Sequence, residues 1–190
     1  IKNKIMKKQK ICIIGGSLTG LTAAISLAKL NCEIDLVTDH TNKHVKSNRT
    51  IAVSENNFGF LNKLNIKKSL IKEMWPCSIM KLYTEIKNEK FSKVFELNND
   101  NKQKKVFYMI ENSKIMKLMI SKIRQIKSIS IKSHEKISEI FTSGLLKSVK
   151  INNNKFKYNL IIVCAGNNSS LVKKLFSNQI IENFYKEISI

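Results

Sequence analysis

The sequence predicts an α/β fold built on a parallel sheet, and three stretches near its start predict it. Residues 11–15, ICIIG, are continuously apolar and β-rich, as a strand buried on both faces requires. GGSLTG, residues 15–20, breaks that run, and LTAAISLAKL, residues 21–30, follows with small and apolar residues at helical spacing. EIDLVT, residues 33–38, then alternates as a second strand. Strand, turn, helix and strand in that order form a β-α-β unit, the building block of a parallel sheet.

Further elements follow in order. Residues 40–50 read as a polar loop that ends at Arg49; RTIAVS is a short extended segment, and residues 55–65 a helix with Phe58, Leu61 and Leu64 on one face. Trp75-Pro76 marks a break. CSIMKLYTEI (77–86) and KFSKVFELN (90–98) are strands joined by the polar turn KNEK, and KKVFYMI (104–110) is another strand. Residues 113–126 form an amphipathic helix with apolar positions 115, 116, 119, 120, 123 and 126. SISIKS, KISEIFTS, LLKSVKIN and KFKYNLIIVCAG are short strands with a turn at INNNK; residues 169–176 form a short helix, and IENFYKEISI alternates like a strand.

Composition narrows the function classes. The chain has 190 residues, 43% hydrophobic and 25% charged, which is globular rather than disordered. No apolar run approaches the roughly 18–20 residues of a membrane-spanning helix. Net charge is +20, yet only Arg49 and Arg124 are arginines among 34 cations. Nucleic-acid readers lean on arginine's planar fork, so a nucleic-acid partner is not expected. Lysine rises together with 28 Ile and 21 Asn, which reads as an AT-rich genome's drift laid over a solvated surface. Cys12, Cys32, Cys77 and Cys164 form no C-x-x-C pair, and His40, His44 and His134 have no partner spacing, so no metal site is expected. Ile1 precedes Met6, and MKKQK leads into the first strand with no signal-peptide core; a cytoplasmic protein is expected.

The motif with chemistry in it is GGSLTG, set between strand and helix as a dinucleotide-binding turn requires. Gly15 permits the tight turn, and Gly20 lets the helix pack close against the sheet. Amides around Leu18 and Thr19 would face a pyrophosphate, helped by the helix dipole. Two positions depart from G-x-G-x-x-G. Ser17 stands at the middle glycine, where backbone and phosphate nearly touch. The ribose-binding acid should close the second strand, and a gap-free count reaches Thr38, with Asp39 one residue later.

KICIIGGSLTGLTAAISLA resembles the first FAD-binding segment of flavoprotein monooxygenases, which run to hhIhGGGxxGLxxAhxLA. SNRTIAVSENNFGFLNKLNI is similar to the R-x-x-A-L-S segment of the ubiquinone-biosynthesis hydroxylases, an aromatic-ring hydroxylase group. VFYMIENSKIMKLMISKI resembles their GYVVENRxLRxxL segment, with Glu111-Asn112 in place. The resemblance implies a Rossmann-like FAD/NAD(P)-binding fold with a parallel sheet, plus the beginning of a β-rich substrate domain. It further implies hydroxylation of a polyprenyl phenol by O2, with FAD as cofactor and NAD(P)H as reductant. Carried over by position, Gly15, Gly16, Ser17, Leu18, Thr19 and Gly20 would hold the pyrophosphate, Thr38 or Asp39 the ribose, and Arg49 the FAD phosphates or the reductant. YNLIIVCAGNNSS matches the strand ending in G-A-D-G-x-x-S, which brings Gly166 to the flavin and puts Ala165 where the aspartate belongs. Ser113 replaces the arginine of ENR.

Members of that group run to about twice this length, so the sequence is expected to be the N-terminal half of a larger enzyme, inactive alone. The expected division is a leader over 1–9, an FAD-binding domain over 10–75 and 104–176, and substrate-domain strands over 77–103 and 180–190. No side chain in this half reads as a catalytic base. A peripheral encounter with anionic lipid, helped by the lysines, follows from a bilayer-borne substrate. The alternatives are an FAD-dependent reductase or dehydrogenase of the same fold, suggested by Ala165, and a non-catalytic relative.

Overall fold

The computed structural model describes residues 8–38, 49–66, 70–86, 89–99, 104–133, 137–166, 169–177 and 179. They divide into two compact units, one drawn from 1–41 and 128–190, the other from 42–127.

The first unit is a four-stranded parallel sheet with an antiparallel meander. Its central strands are β1 (Gln9–Ile14) and β2 (Cys32–Thr38), joined by α1 (Leu18–Leu27). The helix begins at Leu18, where the sequence places the amides of the helix start, three residues before the helical spacing at Leu21. α1 packs on β1 and β2 through buried Leu21, Ala24 and Ile25. β8 (Ile129–Ser133) pairs with β2, and β12 (Leu160–Val163) with β1, giving the order β12-β1-β2-β8. A strand flanked on both sides and covered on both faces explains why β1 reads as an apolar run.

The meander is β9 (Ile137–Ser143), β10 (Leu146–Ile151) and β11 (Asn154–Tyr158). Asn152 and Asn153 both take positive φ, 45° and 69°, the two-residue hairpin geometry that asparagine tolerates. The meander closes one core with the sheet: Val149, Ile151 and Tyr158 are buried together with Cys12, Ile14 and Val37. At its edge the Tyr158 hydroxyl donates to Asp35 Oδ2 at 2.7 Å, and Lys132 Nζ lies 3.5 Å from the same oxygen. KFKYNLIIVCAG is therefore two strands in two sheets rather than one. Asn159 makes the joint: its amide donates to the Lys10 carbonyl and its side-chain oxygen accepts from the Lys10 amide, both at 2.8 Å. α4 (Ser170–Phe176) follows β12, as expected.

The second unit holds β3 (Thr50–Ser54), α2 (Glu55–Lys63), a one-turn 3₁₀ helix at Ile71–Glu73, and β4 (Trp75–Cys77). β5 (Ile79–Ile86) and β6 (Glu89–Asn98) form a hairpin, and β7 (Phe107–Glu111) leads into α3 (Asn112–Arg124). Ser54 caps α2 by accepting from the Asn57 amide. Phe58, Leu61 and Leu64 are buried, as their spacing predicted, as are Ile115, Met119 and Ile123 of α3. Trp75-Pro76 is not a break. It lies in an antiparallel strand, because in the order β3-β7-β4 it occupies a sheet edge, where a proline's missing N–H costs no ladder bond. The strand expected over IENFYKEISI lies outside the described residues.

Candidate functional site

The carboxyl ends of β1, β2 and β12 meet at the glycine-rich turn. Gly15 has φ +114°, a conformation that side chains disfavour, and a Cβ there would strike the Cys164 carbonyl. A Cβ on Gly16 would strike Thr38 Oγ1, and one on Gly20 would strike the Gly15 carbonyl. The Gly15 amide donates to the Val37 carbonyl at 2.9 Å, and the Cys164 amide to the Ile14 carbonyl at 2.6 Å. Both flanking strand ends thus grip the turn: β2 through Thr38, β12 through Cys164.

This grip fixes how α1 begins. Its first intrahelical bond runs from the Leu21 amide to the Ser17 carbonyl at 2.9 Å, so the amides of Leu18, Thr19 and Gly20 precede the ladder. Ser17 at the N-cap makes no capping bond with its side chain, and the first turn carries no acidic residue. Three amides outside the ladder thus stand at the positive end of a helix dipole without a built-in anion. The Ser17 hydroxyl instead donates to the Cys164 carbonyl at 3.3 Å. A serine at the middle-glycine position therefore turns its side chain aside to β12. The residues present fit a pyrophosphate.

The other expected residues fall as follows. Thr38 is buried, 7% exposed, with its hydroxyl against Gly16, so its side chain is floor to the turn. Asp39 lies outside the described residues, as do His40, His44 and His134. Gly166 sits just past β12 with φ +76° and open space where a Cβ would stand. Arg49 belongs to the second unit, where its carbonyl accepts from the Asn112 amide at 2.9 Å. Thr50 pairs with Glu111, so the R-x-x-A and E-N segments, some sixty positions apart in the chain, are neighbours on β3 and β7. At the departure from ENR, Lys114 bridges Glu73 at 3.1 Å and Glu111 at 3.3 Å, and stands 5.5 Å over the Trp75 ring. Those bonds hold its ammonium above the ordinary lysine range, Glu73 first and Glu111 next.

Cys164 is the site residue that sequence reasoning undervalued. It reads as a buried apolar strand residue, yet its backbone meets Gly15, its carbonyl takes Ser17, and its Cβ lies 3.5 Å from where a Gly20 side chain would begin. Partial burial pushes its thiol pKa up, so it is a packing group and not a thiolate. No cluster of three metal-ligating side chains exists among the described residues.

A glycine-gripped turn opening a helix at the carboxyl edge of a parallel sheet defines a dinucleotide-binding protein. The chain belongs to the FAD binding domain family, whose family model matches residues 8–179. No curated protein matches it in sequence. Among solved structures it is similar to p-nitrophenol 4-monooxygenase PnpA from Pseudomonas putida DLL-E4, at 14% identity and TM-score 0.69, over 88% of this chain and 43% of that one. It is also similar to a mutant of P. aeruginosa PqsL, at 11% identity and TM-score 0.79, over 94% and 48%. A third is the flavin-dependent monooxygenase PieE, solved with FAD and substrate, at 12% identity and TM-score 0.69, over 90% and 32%. The fold is shared with all three, and the chain spans less than half the length of each. No helix among the described residues is long and apolar enough to cross a membrane.

Proposed function

We propose that this chain supplies the FAD-binding part of a flavin-dependent monooxygenase acting on an aromatic ring. The observation that carries the reading is the anion cradle made by Gly15–Gly20 over the ends of β2 and β12. In it the amides of Leu18, Thr19 and Gly20 hold the FAD pyrophosphate. In this reading Thr38 or Asp39 takes the ribose and Gly166 lies at the flavin, and the resemblance assigns Arg49 to the FAD phosphates or the reductant. Bound FAD supplies the activation of O2, with NAD(P)H as reductant; the protein fixes the cofactor's position and charge environment.

For the substrate, the reading is a polyprenyl phenol of ubiquinone biosynthesis, supported by the R-x-x-A and E-N segments that lie together on β3 and β7. The β5–β6 hairpin is read as the start of the substrate domain, and the lysine-rich surface as an aid to meeting an anionic bilayer. Ala165, in place of the family's aspartate, favours a second reading in which FAD serves a reductase or dehydrogenase of the same fold.

The test is reconstitution of the purified chain with FAD, followed by gel filtration and a visible spectrum. Flavin absorbance co-eluting with protein is expected, and its absence overturns the cofactor reading. In a longer polypeptide carrying this sequence, NAD(P)H consumption that requires a prenylated phenol and yields hydroxylated product supports the monooxygenase. Consumption without hydroxylation supports the reductase.

A further inference from the structure

Ser17 departs from the usual chemistry of both roles its position offers. A serine at an N-cap ordinarily turns its oxygen onto the second or third helical amide. Ser17 has the extended backbone that allows this, φ −73° and ψ 174°, yet no such bond forms. At the same position in a dinucleotide turn a glycine ordinarily clears the path of the pyrophosphate. Here the side chain clears that path by reaching across the turn to the Cys164 carbonyl at 3.3 Å.

Resting on the FAD reading above, we infer that Ser17 is a positioning residue: its hydroxyl clasps the end of β12 and so keeps the α1 amides open for the cofactor. Two rotameric choices compete for one hydroxyl. Turned inward as a cap, it would occupy an amide the pyrophosphate needs. Turned outward as a donor, it leaves Leu18, Thr19 and Gly20 free. The outward choice also ties the turn to Cys164, whose amide is already bonded to Ile14 and whose backbone already abuts Gly15. The clasp therefore adds a side-chain link to the contact that shapes the cradle.

The experiment measures the FAD dissociation constant by flavin fluorescence, together with the melting temperature of the FAD-free chain, for wild type and four variants. Ser17→Ala leaves the amides open but loses the tie to Cys164, and is expected to weaken FAD by about two- to tenfold, the worth of one hydrogen bond, with little change in FAD-free melting because that bond is exposed. Ser17→Thr keeps the hydroxyl and is expected within about twofold of wild type. Ser17→Asp caps the helix and places a carboxylate on the open amides, so it is expected to abolish FAD binding while matching or exceeding wild-type melting. Unchanged affinity in Ser17→Ala, a loss there equalled by a fall in FAD-free melting, or tighter binding in Ser17→Gly overturns the inference. If wild type itself binds no FAD, the cofactor reading fails first, a result distinct from any of these.

Discussion

The parallel-sheet unit and the β5–β6 hairpin treat the same kind of side chain in opposite ways. In β1, Ile13 is fully buried, with strands on both sides and α1 and the meander on the two faces of the sheet. In the hairpin, Met80 opposes Leu97 and Leu82 opposes Phe95, which puts four large apolar groups on one face. All four are exposed, Leu82 at 52%. The reverse face is mixed: Ile79 and Tyr83 share it with an ion cluster in which Lys93 lies at 2.7 Å and Lys81 at 4.0 Å from Glu96 Oε2. Apolar residues form a strand in either place, but among the described residues β1 finds a second layer for its apolar side chains and the hairpin face does not. The difference teaches that hydrophobic pattern specifies which face wants cover, and topology decides whether cover is there.

The largest expected effect tests that contrast directly. Ile13→Ala removes a fully enclosed side chain and is expected to cost about 2–5 kcal/mol, read as a lower denaturation midpoint. Leu82→Ala, a comparable truncation on the exposed face, is expected to stay within about 0.5 kcal/mol of wild type. Equal losses would mean that the hairpin face is covered in solution, and the comparison would break.

A smaller effect is expected at the part-buried polar pair that links the meander to β2. Tyr158 is 2% exposed, and its hydroxyl ties the meander to β2 through Asp35. Tyr158→Phe keeps the ring and removes the bond to a carboxylate, for an expected loss of about 1.5–3 kcal/mol. Lys132 still faces Asp35, so the carboxylate is left paired and the loss should sit at the low end. A phenylalanine variant as stable as wild type would show that apolar packing alone joins the two layers.

What the sequence disclosed follows the same line. Local pattern located β1, α1, β2, the hairpin and both long helices, because each carries its own period, and GGSLTG announced the cradle because glycine is required where backbones touch. What it did not disclose depends on partners distant in the chain. Asn159 splits one expected strand into two by bonding Lys10, 149 residues away. Cys164 becomes part of the site only because β12 lies beside β1. Pro76 sits in a strand only because β4 is an edge. A single-chain pattern contains none of those neighbours.

The buried core also predicts a signature confined to alkaline pH, absent at neutrality. Cys12 is fully enclosed, and its thiol is pushed up to about 12 from a usual 9.0, first by desolvation and next by the Asp35 carboxylate. Below the unfolded-state value the thiol is protonated in both states, and its contribution does not vary with pH. Between about 9 and about 12 the unfolded chain releases the proton and the folded chain keeps it. The unfolded state then binds fewer protons, so stability falls as pH rises, with a slope approaching about one proton. Other groups change charge in the same window, which makes the difference between proteins the quantity to read. Cys12→Ala is expected to lose stability less steeply than wild type across that window, in urea midpoints taken at matched ionic strength. Parallel curves would mean that water reaches the thiol and that the layer over β1 opens more readily than its packing indicates.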